Sequence, residues 1–278
     1  MNDTDGWFEV ETISPTTTVL TEGELFQAYL VTGTERSVLV DTGIGIGDLR
    51  ALVEGLTDTP IDVFLTHWHW DHIGAAHQFE RVVIHPRERT AEGEVALDGL
   101  TDEFVQRPVD FTEGWLADGK AFPDGFDPDT YTIPPATGVG TVEAGDTLDL
   151  GDRELELYDV PGHSPGQLAA LDRERGVLYG GDVVGVFGDL IALFEYCDLD
   201  DYEAALSTVI DLRDAGAFDT LLTGHNAPMT GEDLDTLDAM YDAIVAVNAG
   251  EGDYEVVETP WGPGRRHEYG PFGVIVPN

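Results

Sequence analysis

The sequence predicts an α/β fold, on three observations. Apolar runs of strand length recur along the chain and stop at Gly, Pro or His, as at 61–66, 155–160, 176–179 and 218–222. Segments with apolar residues at helical spacing lie between them. The clearest is 201–214, where Tyr202, Ala205, Leu206, Val209, Ile210 and Leu212 share a face, and 232–248 repeats the pattern. Third, the run His67-Trp68-His69-Trp70-Asp71-His72 stands where a buried strand hands over to a helix start. In α/β folds such handovers are where binding sites form.

Taken in order, strands are expected near 6–13, 16–20, 25–31 and 36–41, then a helix near 48–56. The run Ile61-Asp62-Val63-Phe64-Leu65-Thr66 reads as a buried strand, and Ile73 to Phe79 suits a helix start. A strand at 81–85 and a helical stretch from Pro86 come next. Residues 100–140 break the pattern. Pro108, Pro123, Pro128, Pro134 and Pro135 interrupt the apolar Phe104, Phe111, Trp115, Phe122, Phe126 and Tyr131. That segment is too aromatic for a flexible linker. It reads either as a surface loop packed by its own side chains or as a lid over a site, seating an apolar part of a substrate. Strands resume at 141–150, 154–160, 168–172 and 176–180, ahead of the two helices. Trp261 and the Gly/Pro/Phe-rich tail to Asn278 leave two readings open, closing the site or packing on a second subunit. The whole reads as two strand-rich halves with helices outside.

Three imidazoles and a carboxylate within six residues suit zinc, and also iron or manganese. If the run is extended, its period of two puts His67, His69 and Asp71 on one side and Trp68 and Trp70 on the other, with His72 turning in afterwards. Further candidates follow later strands in Pro161-Gly162-His163-Ser164-Pro165-Gly166, Gly180-Gly181-Asp182 and Thr223-Gly224-His225-Asn226. Each is flanked by residues that permit close backbone approach. Singly, a His after a strand is commonly a polar loop residue; together these segments form an ordered series.

With Val38-Leu39-Val40-Asp41-Thr42-Gly43, the series resembles the metallo-β-lactamase superfamily, in the family's order and over roughly residues 16–248. The resemblance implies a four-layer αββα sandwich with internal pseudo-symmetry. It implies a single domain over 1–278, carrying an insert at about 86–140. It implies two divalent ions, zinc first and iron or manganese as alternatives. His67, His69 and His163 would hold one ion, Asp71, His72 and His225 the other, and Asp182 would bridge them. The lactamases proper usually carry Cys where this chain has Asp182, so the resemblance points away from antibiotic hydrolysis. It points toward thioesterases, lactonases, phosphodiesterases and nucleases.

The chemistry is coherent. Two divalent ions about 3.5–4 Å apart share a carboxylate and a hydroxide, and a metal lowers the pKa of its water to about 7. Hydrolysis then needs no Ser or Cys nucleophile. Asp71 is the catalytic candidate, placed to orient the water or pass its proton to the leaving group. Asp41 has two readings, a partner for the ring of a ligand His or a turn residue of Asp-Thr-Gly.

Composition bounds the rest. The chain has 278 residues, 42% hydrophobic, enough for a full core. Its 55 acidic residues against 13 basic give a net charge of −42, and Lys120 is the only lysine. The acids are spread throughout beside clear apolar periodicity, so the chain reads as folded with an acidic surface. Such a surface fits a halophilic archaeon with molar salt in its cytoplasm, where a Debye length of about 3 Å screens self-repulsion. The balance argues against nucleic acid as a partner. Arg265-Arg266 and Arg87-x-Arg89 are the tight basic pairs, read either as solvated surface arginines or as contacts to an anionic substrate group. Cys197 stands alone, so no intramolecular disulfide forms, which suits a reducing location. The acidic start Met1-Asn2-Asp3-Thr4-Asp5 lacks signal-peptide features, and no stretch approaches about 18 apolar residues. The expectation is a cytoplasmic enzyme acting on a small-molecule substrate, with no membrane partner and no oligomeric state specified.

For substrate, the stretch from Gly180 to Tyr202, with the insert, is similar to the branch containing acyl-CoA thioesterases of metallo-β-lactamase type. The expected reaction is therefore hydrolysis of a thioester or ester. A lactonase or phosphodiesterase using the same dinuclear site remains an alternative. An iron-dependent oxidoreductase of the same fold is a third, with His69 standing where di-iron oxygen reducers carry a carboxylate. A non-catalytic binding protein would have lost ligands, and none of the seven positions is lost.

Overall fold

A computed structural model describes residues 6–97 and 102–278, with the side chains of 102–106 left undescribed. The Met1–Asp5 reading lies outside the described residues, as does the Phe104 side chain. The chain divides into two compact units.

The first unit comprises residues up to Ile84, 88–142 and 149–153. Its strands β1 (Phe8–Ser14), β2 (Thr17–Glu22), β3 (Phe26–Thr32) and β4 (Ser37–Val40) form an antiparallel meander. Helix α1 (Leu49–Glu54) then crosses to β5 (Ile61–Phe64), which lies parallel to β4. The short helix α2 (Trp70–Ile73) leads to β6 (Val82–Ile84), and α3 (Asp102–Ala117) to β7 (Gly140–Thr141). The seven strands form one sheet in sequence order, antiparallel to β4 and parallel beyond it. That switch matters, because parallel strands bring their C-terminal ends, and the loops after them, side by side. β4 is buried at every residue, as expected of a strand covered on both faces.

The second unit comprises 85–87, 143–148 and 154–278. Strands β8 (Thr147–Asp149), β9 (Glu154–Asp159), β10 (Leu168–Asp172) and β11 (Val177–Tyr179) are followed by β12 (Asp189–Ile191) and helix α4 (Leu199–Asp214). Then come β13 (Thr220–Leu222), β14 (Met229–Thr230), helix α5 (Thr236–Asn248) and the meander β15 (Glu255–Thr259), β16 (Gly262–Tyr269) and β17 (Phe272–Pro277). One sheet runs β14-β13-β11-β10-β9-β8 and the other β12-β17-β16-β15. Tyr202, Ala205, Leu206 and Val209 of α4 and Leu237, Ala243 and Ile244 of α5 join one core with Leu171, Leu178, Val274 and Val276. Asp198 caps α4, accepting the backbone N–H groups of Asp200 and Asp201.

Several expected elements need correction. The helical stretch from Pro86 is a single 3-10 turn, Pro86–Glu88. The segment 100–140 contains α3, a sixteen-residue helix with Pro108 inside it. The expected strand at 141–150 is two short strands, because Gly145 (φ 89°) turns the chain between them. For the tail, where closing the site and packing on a second subunit were both open, the structure gives the local form. It is three antiparallel strands, with β17 parallel to β12. Among the described residues, no helix is long and apolar enough to cross a membrane.

Candidate metal centre

In the first unit the site begins at the ends of parallel neighbours β4 and β5. Asp41 follows β4 with a left-handed backbone (φ 61°), and its N–H donates to Phe64 O (2.9 Å). Its carboxylate accepts the Thr66 N–H (2.8 Å), the Thr66 hydroxyl (2.8 Å) and His72 Nδ1–H (2.8 Å). The Thr66 hydroxyl, its proton committed to Asp41, accepts from His67 Nδ1 at 3.0 Å. This network assigns the proton of both imidazoles to Nδ1 and turns Nε2 into the lone-pair nitrogen that a metal requires. Asp41 is thus both a residue of the turn and the hydrogen-bond partner of the His72 ring.

The three rings gather closely, His67 to His69 at 4.4 Å and His67 to His72 at 4.1 Å between centroids. Alternation holds only as far as His69, which is extended (φ −63°, ψ 148°); helix α2 starts at Trp70. Asp71 is thus presented from a helical turn, not from a strand as expected. The buried Trp70 packs on Phe26 (5.4 Å) and Phe111 (6.0 Å), which pins the turn from behind. Thr42 N–H and its hydroxyl both donate to His72 O (2.8 Å each), fixing the backbone of that ligand.

Two buried acids that the sequence did not single out support this half. Glu88, 1% exposed, accepts the Trp68 N–H (3.1 Å) between two ligands. Glu22, also 1% exposed, accepts the N–H groups of Ile44, Gly45, Ile46 and Gly47 and the Trp7 indole (2.8–3.0 Å). Those amides belong to the loop on which Gly74 rests; a Cβ at Gly74 would meet Ile44 C at 2.1 Å, so only glycine fits. Tyr131 donates to Ile44 O. Burial foremost, then the charges of Glu22 and Asp71, hold its phenol well above the ordinary range, so it stays a donor.

In the second unit, parallel strands β11 and β13 place two loops together, Gly224 N–H donating to Gly181 O (3.1 Å). Asp182 leaves the first loop and His225 the second. His163 leaves the loop after β9, where Gly162 (φ 119°) is pressed on α4; a Cβ there would lie 2.4 Å from Tyr202 Cα. His163 Nδ1–H donates to Ile191 O (2.9 Å), again directing Nε2 as the lone-pair nitrogen. Asp182 Oδ2 lies 3.5 Å from His163 Nε2 and 3.4 Å from His225 Nε2. Those separations are long for charge-assisted hydrogen bonds. Two donors bound to one zinc at about 2.0–2.1 Å in tetrahedral geometry stand about 3.3 Å apart. Each of the two imidazole nitrogens, paired with Asp182 Oδ2, therefore has the spacing of two donors to a shared divalent ion. Cys197 donates its thiol to His163 O (3.1 Å). Burial pushes that thiol up to about 12, which removes it as a nucleophile.

The aromatic segment packs on its own unit. Trp7–Trp115 (5.2 Å), Phe122–Phe126 (4.8 Å) and Phe126–Tyr131 (5.4 Å) form one chain of rings that Phe111 joins to Trp70.

A mixed α/β fold of several sheets, with His and Asp donors at the ends of its strands, defines a metallo-hydrolase, and residues 27–225 match the family model of the metallo-beta-lactamase superfamily. The chain belongs to that superfamily. It is similar to the acyl-coenzyme A thioesterase MBLAC2 of Homo sapiens, with 31% identity over 79% of each chain. It is also similar to the hydroxyacylglutathione hydrolase GloC of Haemophilus influenzae, with 25% identity over 63% of this chain and 72% of the relative. Among solved structures, a metallo-beta-lactamase from Pontibacter korlensis shares the fold at TM-score 0.56, with 18% identity over 84% of this chain and 99% of that one.

Proposed function

We propose that this enzyme hydrolyses acyl thioesters of the acyl-coenzyme A type. The observation that carries the reading is the 31% identity with acyl-coenzyme A thioesterase relatives over 79% of both chains. Asp182 supports it, since by the resemblance the lactamases proper usually carry Cys at that position. On this reading His67, His69 and His163 would hold one divalent ion, Asp71, His72 and His225 a second, and Asp182 would contribute to both. Nitrogen donors outnumber carboxylates in this set, which favours zinc over manganese. The insert at 86–140 belongs to the same single catalytic domain.

Divalent ions supply, when bound, a nucleophilic water at neutral pH and polarisation of the carbonyl oxygen under attack. The chain's own residues do the rest. Asp41 and Thr66 hold His72 and His67 in the tautomer that offers Nε2. Ile191 O does the same for His163. A carboxylate oxygen of Asp71 takes the proton of the attacking water and returns it to the departing sulfur. One thioester and one water thus give one carboxylic acid and one thiol. Residues of the 86–140 insert would seat the apolar acyl group. The net charge of −42 supports a halophilic, cytoplasmic setting, with stability rising as KCl approaches molar concentration.

The test is thiol release from acyl-CoA and acyl-glutathione panels in molar KCl, with zinc or manganese, with and without chelator. Chelator-sensitive release from acyl-CoA is expected. Release from acyl-glutathione alone would move the substrate to the class named for GloC. No release from metal-loaded protein would overturn the thioester reading in favour of lactones or phosphodiesters.

A further inference from the structure

Arg265 has a setting that the chemistry above does not use. In a chain with 55 acidic residues, it makes no ion pair among the described residues. Its neighbour Arg266 behaves differently, holding Asp189 at 3.0 Å. Arg265 Nε–H donates to Pro277 O (2.8 Å), so the two Nη groups carry its remaining donors. Its guanidinium lies 5.2 Å from the Tyr254 ring centre. Tyr254 is 53% exposed.

Arg265 and His267 stand two residues apart on β16 and so share a face. Both line a cavity of about 390 Å³ in the second unit. Its remaining walls are largely apolar, with Phe194, Leu199, Val247 and Val276. Glu195 is the sole carboxylate on the wall and is not paired with Arg265. His267, 5% exposed, lies 5.5 Å from the Tyr254 ring, and its Nδ1 is buried with no hydrogen-bond partner among the described residues. A buried polar atom without a partner costs about 1–3 kcal/mol, a cost that evolution tolerates at sites with a ligand to satisfy.

We propose that this cavity is a second ligand site, for an oxyanion carrying an apolar body. The anionic head, carboxylate or phosphoryl, takes the two Nη groups of Arg265, and the body lies against Phe194, Leu199 and Val247. Direct Arg–oxyanion contacts of about 2.7–2.9 Å lie inside the Debye length of about 3 Å at 1 M salt, so such a site works in brine where diffuse surface charge does not. The cavity backs onto the support of His163. Its wall includes Cys197, which donates to His163 O, and Ala192, next to the Ile191 carbonyl that accepts His163 Nδ1–H. The proposal does not depend on which bond the enzyme hydrolyses.

The test is calorimetric titration of the full metal-loaded chain in molar KCl with octanoate and, separately, adenosine 3′,5′-bisphosphate. Saturable binding of either is expected. It should survive removal of the metals by chelator and weaken about tenfold or more in Arg265→Gln, which removes the two-donor, charge-assisted contact. Val247→Phe, which fills the apolar end, should weaken it comparably and covers the case in which the arginine variant misfolds. Octanoate binding alone assigns the site to acyl carboxylates, and bisphosphate binding alone to phosphorylated ligands. Binding that disappears with chelator and is untouched by both substitutions would be binding at the metals and would overturn the proposal, as would no binding of either probe.

Discussion

Asp41 Oδ2 lies 2.8 Å from His72 Nδ1, and the same carboxylate accepts both the N–H and the hydroxyl of Thr66, which in turn accepts from His67 Nδ1. One buried side chain thus sets the tautomer of two proposed ligands, His67 and His72. Asp41→Asn presents an amide in place of an acceptor-only group and should weaken metal affinity about 10–100-fold. Competition titration against a chromogenic chelator measures this. Unchanged affinity would exclude Asp41 from the metal's support.

Asp182 stands 3.4–3.5 Å from two imidazole nitrogens. Asp182→Ala should lower the bound-metal stoichiometry and reduce hydrolysis about 100-fold or more. Elemental analysis of the variant decides the first point and turnover the second. Full activity with full metal content would remove Asp182 from the ligand set.

Glu22 accepts five N–H groups. Glu22→Gln keeps the shape but turns a donor toward donors, leaving buried groups unsatisfied. A loss of about 1–3 kcal/mol is expected, or about 2–9 °C in Tm at about 2–3 °C per kcal/mol for a chain of this size. Differential scanning calorimetry in molar KCl checks it.

Phe187 is 57% exposed, sits at φ 51° and lies 5.1 Å from the His225 ring. A left-handed backbone costs a residue with a side chain about 1–2 kcal/mol. Phe187→Gly should therefore raise stability by about 0.5–1 kcal/mol, after the entropy that glycine returns to the unfolded chain. Phe187→Ala, which keeps the strain, should not. Urea midpoints of the two variants make the comparison, and equal midpoints would dismiss the strain.

His77, His85 and His267 are each held below the ordinary imidazole range, first by desolvation. A lowered folded pKa means that the unfolded chain binds more protons as pH falls. The stability from keeping these rings neutral is complete above about pH 6.5 and is lost below it, toward the folded values. His85 Nδ1 accepts the Arg87 N–H (3.1 Å), which suits the neutral ring. The drop in urea midpoint between pH 7.5 and 5.5 should be smaller in His85→Asn than in the parent. An equal drop would acquit His85.

The seven proposed ligands stand out in the sequence because the segments that carry them follow apolar runs, and polar residues at a strand end need no long-range information to be noticed. Asp41 was half legible, as its partner His72 is thirty-one residues away. Glu22 and Glu88 were not legible at all. Both read as ordinary acids in an acidic chain until folding brings backbone amides to them. Helix α3 was hidden by Pro108 and Gly114, which local propensity counts as breakers and which packing of Phe111 and Trp115 overrides. Strands β15 to β17 were hidden by Pro263, Gly264 and Gly273, which interrupt alternation. A Cβ at Gly273 would meet Asp189 Oδ1 at 2.7 Å, so a larger residue there would have to shift the Asp189–Arg266 pair.

The four consecutive amides at 44–47 that converge on Glu22 make an anion receptor of the kind that elsewhere cradles phosphate. Here the guest is tethered to β2, at an effective concentration that no free anion in the cell approaches. The loop beside the ligand motif is therefore deaf to phosphate and sulfate, and its shape is set from within the chain, whatever salt surrounds it.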